Sequence, residues 1–254
     1  MKKGWKIALV VGIAVLLAAA GFVAWGLTPL GPGPAARAAL EPGNDVVVRD
    51  EGEFIVFAPA GAEPATGLIL YPGGRVDHRS YAPAARAIAA RGYLVAVVRM
   101  PLSLAVFGVD RADAVIAAQP GVRNWVVGGH SLGGSMAASY AARHAERVRG
   151  LVLWASYPAA GDDLSKTALR GLSTWGSNDL VVDRERLDAA RPLLPPETVV
   201  AVIAGGNPAQ FGDYGPQPGD GTAAISGAEQ QARTADLTVQ LLRAVDGAGP
   251  GGPA

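Results

Sequence analysis

The sequence predicts an α/β domain with a mostly parallel sheet of about eight strands and helices on both faces, preceded by one N-terminal transmembrane helix. Short, continuously apolar runs alternate with helical patterns through most of the chain. Strands of this kind are typical of a parallel sheet that is buried on both sides. The 254 residues are 50% hydrophobic, which is enough for one ordinary core and predicts one domain with an appendage.

The composition excludes several classes of protein. Lys and Arg number 22 against 22 Asp and Glu, and charged residues are 17% of the chain, which is too few and too balanced for a disordered or nucleic-acid-binding chain. The lack of cysteine excludes a disulfide framework, a thiolate nucleophile and Cys-ligated metal sites. Three histidines also disfavour a His-rich metal site. We therefore expect no cofactor, no metal and no nucleic-acid partner.

The amino-terminal segment has the length and hydropathy of a membrane span. Residues 7–27 read IALVVGIAVLLAAAGFVAWGL and carry no charge, and a helix of that length spans about 30 Å. Trp5 and Trp25 stand at its two ends, where interfacial aromatic rings prefer to lie. The segment therefore predicts a membrane partner for this chain.

Positive charge on one flank predicts the orientation of this span. Lys2, Lys3 and Lys6 precede it and no charge follows it before Arg37, so we expect the amino terminus in the cytoplasm and the domain on the extracytoplasmic side. The alternative is a secretory signal peptide cleaved near 18–20, where three alanines form a small-residue site. The domain is exported in both interpretations, anchored in the first and secreted in the second.

The composition divides the chain into four segments. Residues 1–30 are predicted as the membrane anchor or signal segment, and residues 31–43 as a Pro/Gly linker. The folded domain is expected to cover residues 44–246. Residues 247–254, which read GAGPGGPA, are predicted as a flexible tail.

The folded part begins with three β-rich runs and continues as an alternation of helices and strands. Turn residues such as Asp50, Glu51 and Gly52 separate the first runs, which we expect to be antiparallel. The predicted strands are 46–49, 54–58, 67–71, 94–98, 125–127, 151–155, 172–175 and 198–203. The predicted helices are 81–91, 110–118, 132–144, 184–191 and one within 224–244. Since ligands of such sheets bind beyond the carboxyl ends of the strands, the chemistry is expected in the loops that follow them.

One of these loops carries Gly-His-Ser-Leu-Gly at 129–133, between a predicted strand and a predicted helix. This context is typical of a nucleophile elbow, a strained turn that holds a serine hydroxyl clear of the sheet at the amino terminus of a helix. Glycine two residues before and after the serine lets the turn form without Cβ clashes. We interpret Ser131 as a nucleophile, and the alternative is an ordinary helix N-cap among packing glycines. His130 is expected to point away from the site and to pack.

With this motif in place, the sequence resembles the α/β-hydrolase superfamily, and specifically its compact, nearly lidless branch that is similar to dienelactone hydrolases. The resemblance covers about residues 45–244. Five motifs carry it: LYPGG at 70–74, VVGGHSLGG at 126–134, GLVLWA at 150–155, GSND at 176–179 and GGNPAQFG at 205–212.

The resemblance implies a role for three further residues. Gly74 and Leu132 would supply the two backbone N–H groups of an oxyanion hole, which stabilise the charge on a carbonyl oxygen under attack. Asp179 would be the acid of a catalytic triad, and it follows Ser131 in the chain as the family order requires. Two alternatives stay open: a tight turn at Gly73 and Gly74, and a turn-forming Asx residue at Asp179.

The sequence departs from the family at the third member of the triad. The position at which the family carries its histidine, in the loop after the last strand, is Pro208, and no histidine occurs after His144. Because proline has no group that can take or return a proton, the ordinary general-base route is missing. This departure predicts either a hydrolase with an altered base or an impaired one.

A base from elsewhere in the chain is the remaining possibility. His78 lies in the loop after the third predicted strand, on the same sheet edge as Ser131, and Asp77 or Asp179 could orient it. The alternative for His78 is a solvated polar loop. His144 is excluded because it lies about 20 Å along the helix that follows Ser131.

The loop that follows Pro208 also contains Asp213, Tyr214 and Asp220. A carboxylate there could act as a weak base through water, but the spacing distinguishes none of them, and ordinary loop structure is the alternative.

Two functions of different class follow. The first is an exported, membrane-tethered serine hydrolase that acts on small-molecule carboxylic esters or related acyl compounds. The second is a catalytically impaired pseudo-hydrolase that binds a ligand or partner in the same cleft. Only about 15 residues, 156–170, separate the sixth predicted strand from the seventh, so no cap domain fits there and the cleft is expected to be open.

Overall fold

The computed structural model describes residues 2–247, so the predicted tail lies, apart from Gly247, outside the described residues. Helix α1 (Lys2–Gly26) forms the amino-terminal segment and is exposed from Gly4 to Trp25. Between residues 2 and 247 it is the one helix that is long and apolar enough to cross a membrane, with a mean hydropathy of 2.8. Such a helix fits a membrane anchor or a signal sequence.

The segment 31–43, for which the sequence predicts a linker, contains a short helix that packs on the domain. Helix α2 (Pro34–Leu40) begins with proline, whose fixed φ suits a first helical position. Ala36 is fully buried, and its backbone N–H donates to Asp213 Oδ2 at 2.8 Å.

Eight strands form one sheet, as expected. They are β1 (Val46–Asp50), β2 (Phe54–Pro59), β3 (Thr66–Tyr71), β4 (Leu94–Val98), β5 (Asn124–His130), β6 (Gly150–Trp154), β7 (Arg170–Gly176) and β8 (Glu197–Ile203). Their order across the sheet is β1-β2-β4-β3-β5-β6-β7-β8. All pairs from β4 to β8 in this order are parallel, so the sheet is mostly parallel.

The expectation of an antiparallel start is correct for β1 and β2 but wrong for β3. Strand β2 pairs antiparallel with β1 and β4, whereas Leu68 of β3 lies opposite Val95 of β4 and Val126 of β5 in parallel register. The reason is the connection that follows β3. It contains helix α3 (Ala82–Ala89) and returns the chain to the starting edge, as a parallel crossover requires.

Helices cover both faces of the sheet, and each face has its own core layer. Along β4, Val95 and Val97 belong to one layer, whereas Leu94, Ala96 and Val98 belong to the other, as the alternation of side chains in a strand requires. The remaining helices are α4 (Ala112–Ala118), α5 (Leu132–Arg143), α6 (Arg184–Ala189) and α7 (Gly227–Gly247). Helices α3 and α7 pack in the first layer, and α4 and α5 pack in the second.

The parallel strands end at one edge of the sheet, and the loops beyond them carry the predicted site residues. Gly74 follows β3, Ser131 follows β5, Asp179 follows β7 and Pro208 follows β8. The topology therefore gathers residues that are far apart in the sequence.

Candidate active site

Ser131 occupies a strained turn between β5 and α5. Its backbone has φ +49° and ψ −124°, which a residue with a Cβ rarely adopts. Two hydrogen bonds hold the turn against β6 and the loop after it: Ser131 N–H donates to Trp154 O at 2.9 Å, and Ser156 Oγ donates to Ser131 O at 2.7 Å. Strain that the surrounding structure maintains is typical of functional sites.

The glycine before this turn is required by close packing. A Cβ built on Gly129 would lie 2.5 Å from Gly133 C and 2.6 Å from Gly134 N. Both neighbours are backbone atoms of the turn or of the first residues of α5, so neither can rotate away. Gly129 therefore allows the start of α5 to lie directly against the end of β5, and Gly133 allows it to approach the end of β3, since a Cβ there would lie 2.3 Å from Tyr71 O.

Gly74 and Leu132 lie side by side. A Cβ built on Gly74 would lie 3.2 Å from Leu132 Cδ2. Neither backbone N–H donates a hydrogen bond to another residue of the described chain, 2–247. Leu132 is the first residue of α5, where N–H groups have no partner within the helix and carry its positive partial charge. The Leu132 donor thus follows Ser131 directly in the chain, and Gly74 lies against the Leu132 side chain.

An open cavity of about 470 Å³ lies over Ser131. Leu132, Asp179 and Pro208 also line it. Its other lining residues are His130, Ser135, Ala155, Ser156, Tyr157, Val181, Val182, Asp183, Arg186 and Gln217. The connection from β6 to β7 contains neither helix nor strand, so no cap covers the cavity from that side.

Asp179 lies in this cavity with one carboxylate oxygen held and the other unpaired. Its Oδ1 accepts from the backbone N–H groups of Val181 at 2.9 Å and Val182 at 2.7 Å. Its Oδ2 is buried and has no hydrogen-bond partner among residues 2–247. Burial raises the pKa of the Asp179 carboxyl, and the two N–H donors oppose this rise only in part. The unpaired oxygen is the group that an orienting partner of a base would present.

Pro208 lines the same cavity at the start of a 3-10 turn, Ala209–Phe211. The loop is pinned by Gln230, whose Oε1 accepts from Asn207 N–H at 2.9 Å and whose Nε2 donates to Asn207 O at 2.7 Å. Two hydrogen bonds therefore fix the backbone just before Pro208, although proline itself provides no titratable group in the cavity.

The structure does not bring His78 to Ser131. His78 lines a separate cavity of about 350 Å³ together with Leu27 and Arg99, and Ser131 is not part of its lining. His78 Nδ1 lies 3.4 Å from Asp77 Oδ1. Burial lowers the pKa of His78 to about 4, so its ring is neutral near pH 7. The structure therefore offers no contact through which this imidazole would take the Ser131 proton.

His130 packs in the core, as the sequence predicts, although it also forms part of the lining of the cavity over Ser131. It is buried, and its ring stacks on Phe211 with centroids 5.5 Å apart. Tyr81 OH accepts from Gly73 N–H at 2.9 Å and lies within hydrogen-bond distance of His130 Nδ1, at 2.8 Å. Burial lowers the pKa of His130 to about 3. His130 thus supports the loop of Gly73 from within the core.

Three residues of the loop after Pro208, which the sequence did not distinguish, have different hydrogen-bond partners. Asp213 binds α2 through Ala36 N–H, and Tyr214 OH donates to Gln217 Oε1 at 3.1 Å. Asp220 instead lies at the turn that Pro208 begins, where its Oδ2 accepts from Ala209 N–H at 3.0 Å.

The Asp220 carboxyl is also close enough to Asp179 for the two charges to interact. Its Oδ1 is buried without a partner in the described chain. Burial and the nearby Asp179 charge both raise the pKa of Asp220. No spacing in the sequence indicates this proximity, because the residues lie on loops after different strands.

The fold is that of the α/β hydrolases, and the sequence comparison agrees. The profile described as "Alpha/beta hydrolase family" matches residues 67–232. The chain therefore belongs to the α/β hydrolase family. Comparison with curated protein sequences gives no significant match.

Solved structures with the same fold include hydrolases and esterases. A predicted CIB-like hydrolase from Thermoplasma acidophilum is 18% identical with a TM-score of 0.54, over 77% of this chain and 99% of that one. A bacterial heroin esterase is 15% identical with a TM-score of 0.58, over 82% and 89%. A membrane phospholipase A described as a bacterial virulence factor is 18% identical with a TM-score of 0.57, over 97% and 99%. At these identities the likeness concerns the fold.

Proposed function

We propose that the protein is a serine hydrolase that acts on carboxylic esters or related acyl compounds through Ser131. The observation that carries this proposal is the strained Ser131 turn beside the unpaired N–H groups of Gly74 and Leu132, at an open cavity. A site that only bound a ligand would have no need of a hydroxyl held in a costly backbone conformation beside N–H donors that are not engaged elsewhere in residues 2–247.

The proposed reaction has two steps. Ser131 Oγ attacks the ester carbonyl carbon, and the oxyanion that forms accepts from the N–H groups of Gly74 and Leu132. The intermediate collapses to an acyl-enzyme, and the alcohol leaves with the serine proton. Water then releases the carboxylic acid and restores the serine hydroxyl. One donor of this kind contributes about 10² to 10³ in kcat.

The absence of an imidazole limits the expected rate. Removing a triad member costs up to about 10⁶ in kcat, while the oxyanion hole and binding retain about 10³ to 10⁴ over water. We therefore expect slow turnover, with proton transfer through water and the carboxylates of Asp179 or Asp220.

A second candidate function rests on a specific observation. Asp179 Oδ2 is buried without a hydrogen-bond partner among residues 2–247, and the family resemblance implies that Pro208 occupies the position of the histidine that would pair with it. These features favour a pseudo-hydrolase that binds a ligand or partner in the cavity without turning it over.

We further propose that residues 1–30 anchor the protein in the membrane and that residues 31–43 connect this anchor to a hydrolase domain at 44–246. The basic flank before α1 supports an extracytoplasmic domain. Cleavage of α1 as a signal peptide would give a secreted domain instead.

The test measures hydrolysis of a short-chain nitrophenyl ester by the full-length protein and by four variants of it, all in detergent. The variants are Ser131→Ala, Pro208→His, the double variant of these two, and Pro208→Ala as a matched control that changes the backbone without adding imidazole. We expect slow hydrolysis that is lost in Ser131→Ala. We also expect a gain of at least about 100-fold in Pro208→His, in the range of general-base catalysis, that depends on Ser131.

The outcomes separate the two candidates. Activity that appears only with Pro208→His would favour the binding protein. If no variant hydrolyses the ester and a fluorophosphonate fails to label Ser131 in the folded protein, the enzyme proposal is wrong.

A further inference from the structure

The carboxyl-terminal end of α1 contacts a loop of the catalytic domain. This loop, residues 100–108, is called the anchor-side loop below and contains the 3-10 turns Pro101–Ser103 and Ala105–Phe107. A Cβ built on Gly26 would lie 2.8 Å from Leu102 Cβ, so the helix and the loop touch through this glycine. The rings of Phe22 and Phe107 pack edge to face with centroids 6.3 Å apart.

The anchor-side loop extends the apolar surface of α1. Val106 and Phe107 are 45% and 53% exposed, and Leu27 at the end of the helix is 66% exposed. Exposing apolar area to water costs about 25 cal/mol per Å². A bilayer that surrounds α1 would remove this cost for the adjacent side chains of the loop as well, because they lie beside the end of the same helix.

Arg75 lies at the level where α1 would leave the bilayer. The Arg75 guanidinium lies 4.4 Å from the centre of the Trp25 ring and donates to Thr28 O. Within residues 2–247 no carboxylate forms a salt bridge with Arg75. Tryptophan and arginine both favour the boundary between hydrocarbon and headgroups. This pair therefore fits a membrane surface at the carboxyl-terminal end of α1.

The same loop reaches the proposed oxyanion hole. A Cβ built on Gly74 would lie 3.8 Å from Leu104 Cδ2, and the Ala105–Phe107 turn contacts α5, the helix that follows Ser131. Arg75, the residue after Gly74, donates its N–H to Ser103 O at 2.7 Å. Leu102, Ser103 and Arg75 all have positive φ, so the loop is held in a strained form on the side of the site that faces the anchor.

Because the anchor-side loop continues the apolar surface of α1 and also contacts Gly74, we infer that this loop docks on the membrane that holds α1. The site then takes the acyl ester of a bilayer amphiphile. The inference rests on the proposed function. The ester carbonyl would reach Ser131 past Leu104. The acyl group would transfer to Ser131 Oγ, the remaining amphiphile would leave as the alcohol with the serine proton, and water would release the fatty acid.

Docking is tested without any enzyme activity. Since the chain has no cysteine, Phe107→Cys can carry an environment-sensitive fluorophore in full-length protein reconstituted into vesicles of phosphatidylcholine and phosphatidylglycerol. The matched control is Ala62→Cys, an exposed position in the β2–β3 loop. Nitroxide-labelled phosphatidylcholine should quench the label at 107 strongly and the label at 62 weakly. Equal, weak quenching at both positions would overturn the docking.

The substrate class is tested with two esters in the Pro208→His background. The Val106→Ser/Phe107→Ser double variant should lose at least about tenfold of its hydrolysis of a long-chain ester held in vesicles, while hydrolysis of a soluble short-chain ester stays within twofold. The control changes two other exposed valines, Val199→Ser and Val202→Ser on the edge strand β8, and should affect neither ester.

The outcomes separate the inference from the proposed function. A twofold or smaller effect on the vesicle ester would show that the substrate is not delivered by the bilayer, although the protein hydrolyses esters. Failure of the parent protein to hydrolyse either ester would overturn the proposed function and the substrate class with it, and the quenching experiment would still decide the docking.

Discussion

Asp179 keeps one carboxylate oxygen buried, with no partner among residues 2–247, in the cavity that Pro208 also lines. Its other oxygen accepts two backbone N–H groups, so the carboxyl is positioned as firmly as an orienting acid requires. The loop before Pro208 is also fixed, because the Gln230 side chain forms hydrogen bonds with the backbone N–H and C=O of Asn207. In the function that we propose, proline thus takes the place of an imidazole beside an acid that is already held in position.

Replacing Asp179 should change how stability depends on pH. Burial raises the pKa of Asp179 in the folded state, so the folded protein binds this proton more tightly than the unfolded chain. Stability therefore falls as pH rises from the ordinary aspartate pKa through the raised value. We expect Asp179→Asn to reduce this fall and to raise the denaturation midpoint near pH 7 more than near pH 4, in denaturant titrations at both pH values.

The control for this prediction is Asp188→Asn, which changes an exposed carboxylate of α6. An equal effect of the two substitutions on the pH dependence would contradict a buried, unpaired carboxylate at 179.

The backbone N–H of Gly74 can be removed selectively. Gly74→Pro deletes the donor, and we expect a loss of about 10² to 10³ in kcat for a short-chain ester in the Pro208→His background. Gly74→Ala keeps the donor and brings a Cβ to 3.2 Å from Leu132 Cδ2, which a small rotation of that leucine relieves. Kinetics of both variants check this, and equal losses would mean that crowding, not the donor, matters.

Gln230 should control the loop that precedes Pro208. It is fully buried and bonds both backbone groups of Asn207. Gln230→Leu leaves these groups unpaired, which costs about 1 to 3 kcal/mol in the free energy of unfolding per buried group. In the Pro208→His background it should also reduce the gain in kcat, because the imidazole is no longer held beside Asp179. Gln240→Leu, at an exposed position of the same helix α7, should do neither.

His78 should not contribute to hydrolysis. Its ring lies in a cavity that Ser131 does not line, and its lowered pKa of about 4 makes it a weak base. We expect His78→Ala to leave kcat/KM for a short-chain ester within about twofold, because no step of the proposed reaction uses this ring. A tenfold loss at unchanged stability would instead identify His78 as the relocated base.

The sequence by itself determines the layers of the fold and much of the site. Apolar runs between helical patterns specify buried parallel strands, because the periodicity of a segment depends on its own residues. The glycines around Ser131 specify the elbow for the same reason. The uncharged residues of α1 and the proline at 208 can likewise be read directly from the chain.

Only the tertiary structure decided which distant residues meet. Strand β3 pairs in parallel because α3 returns the chain across the sheet, and the short apolar run at 67–71 does not encode that choice. The separation of His78 from Ser131, the position of Asp220 beside Pro208, and the contact of the anchor-side loop with both α1 and Gly74 depend on how whole elements pack. Side chains on different loops become neighbours only when the shared core fixes the strands that carry them.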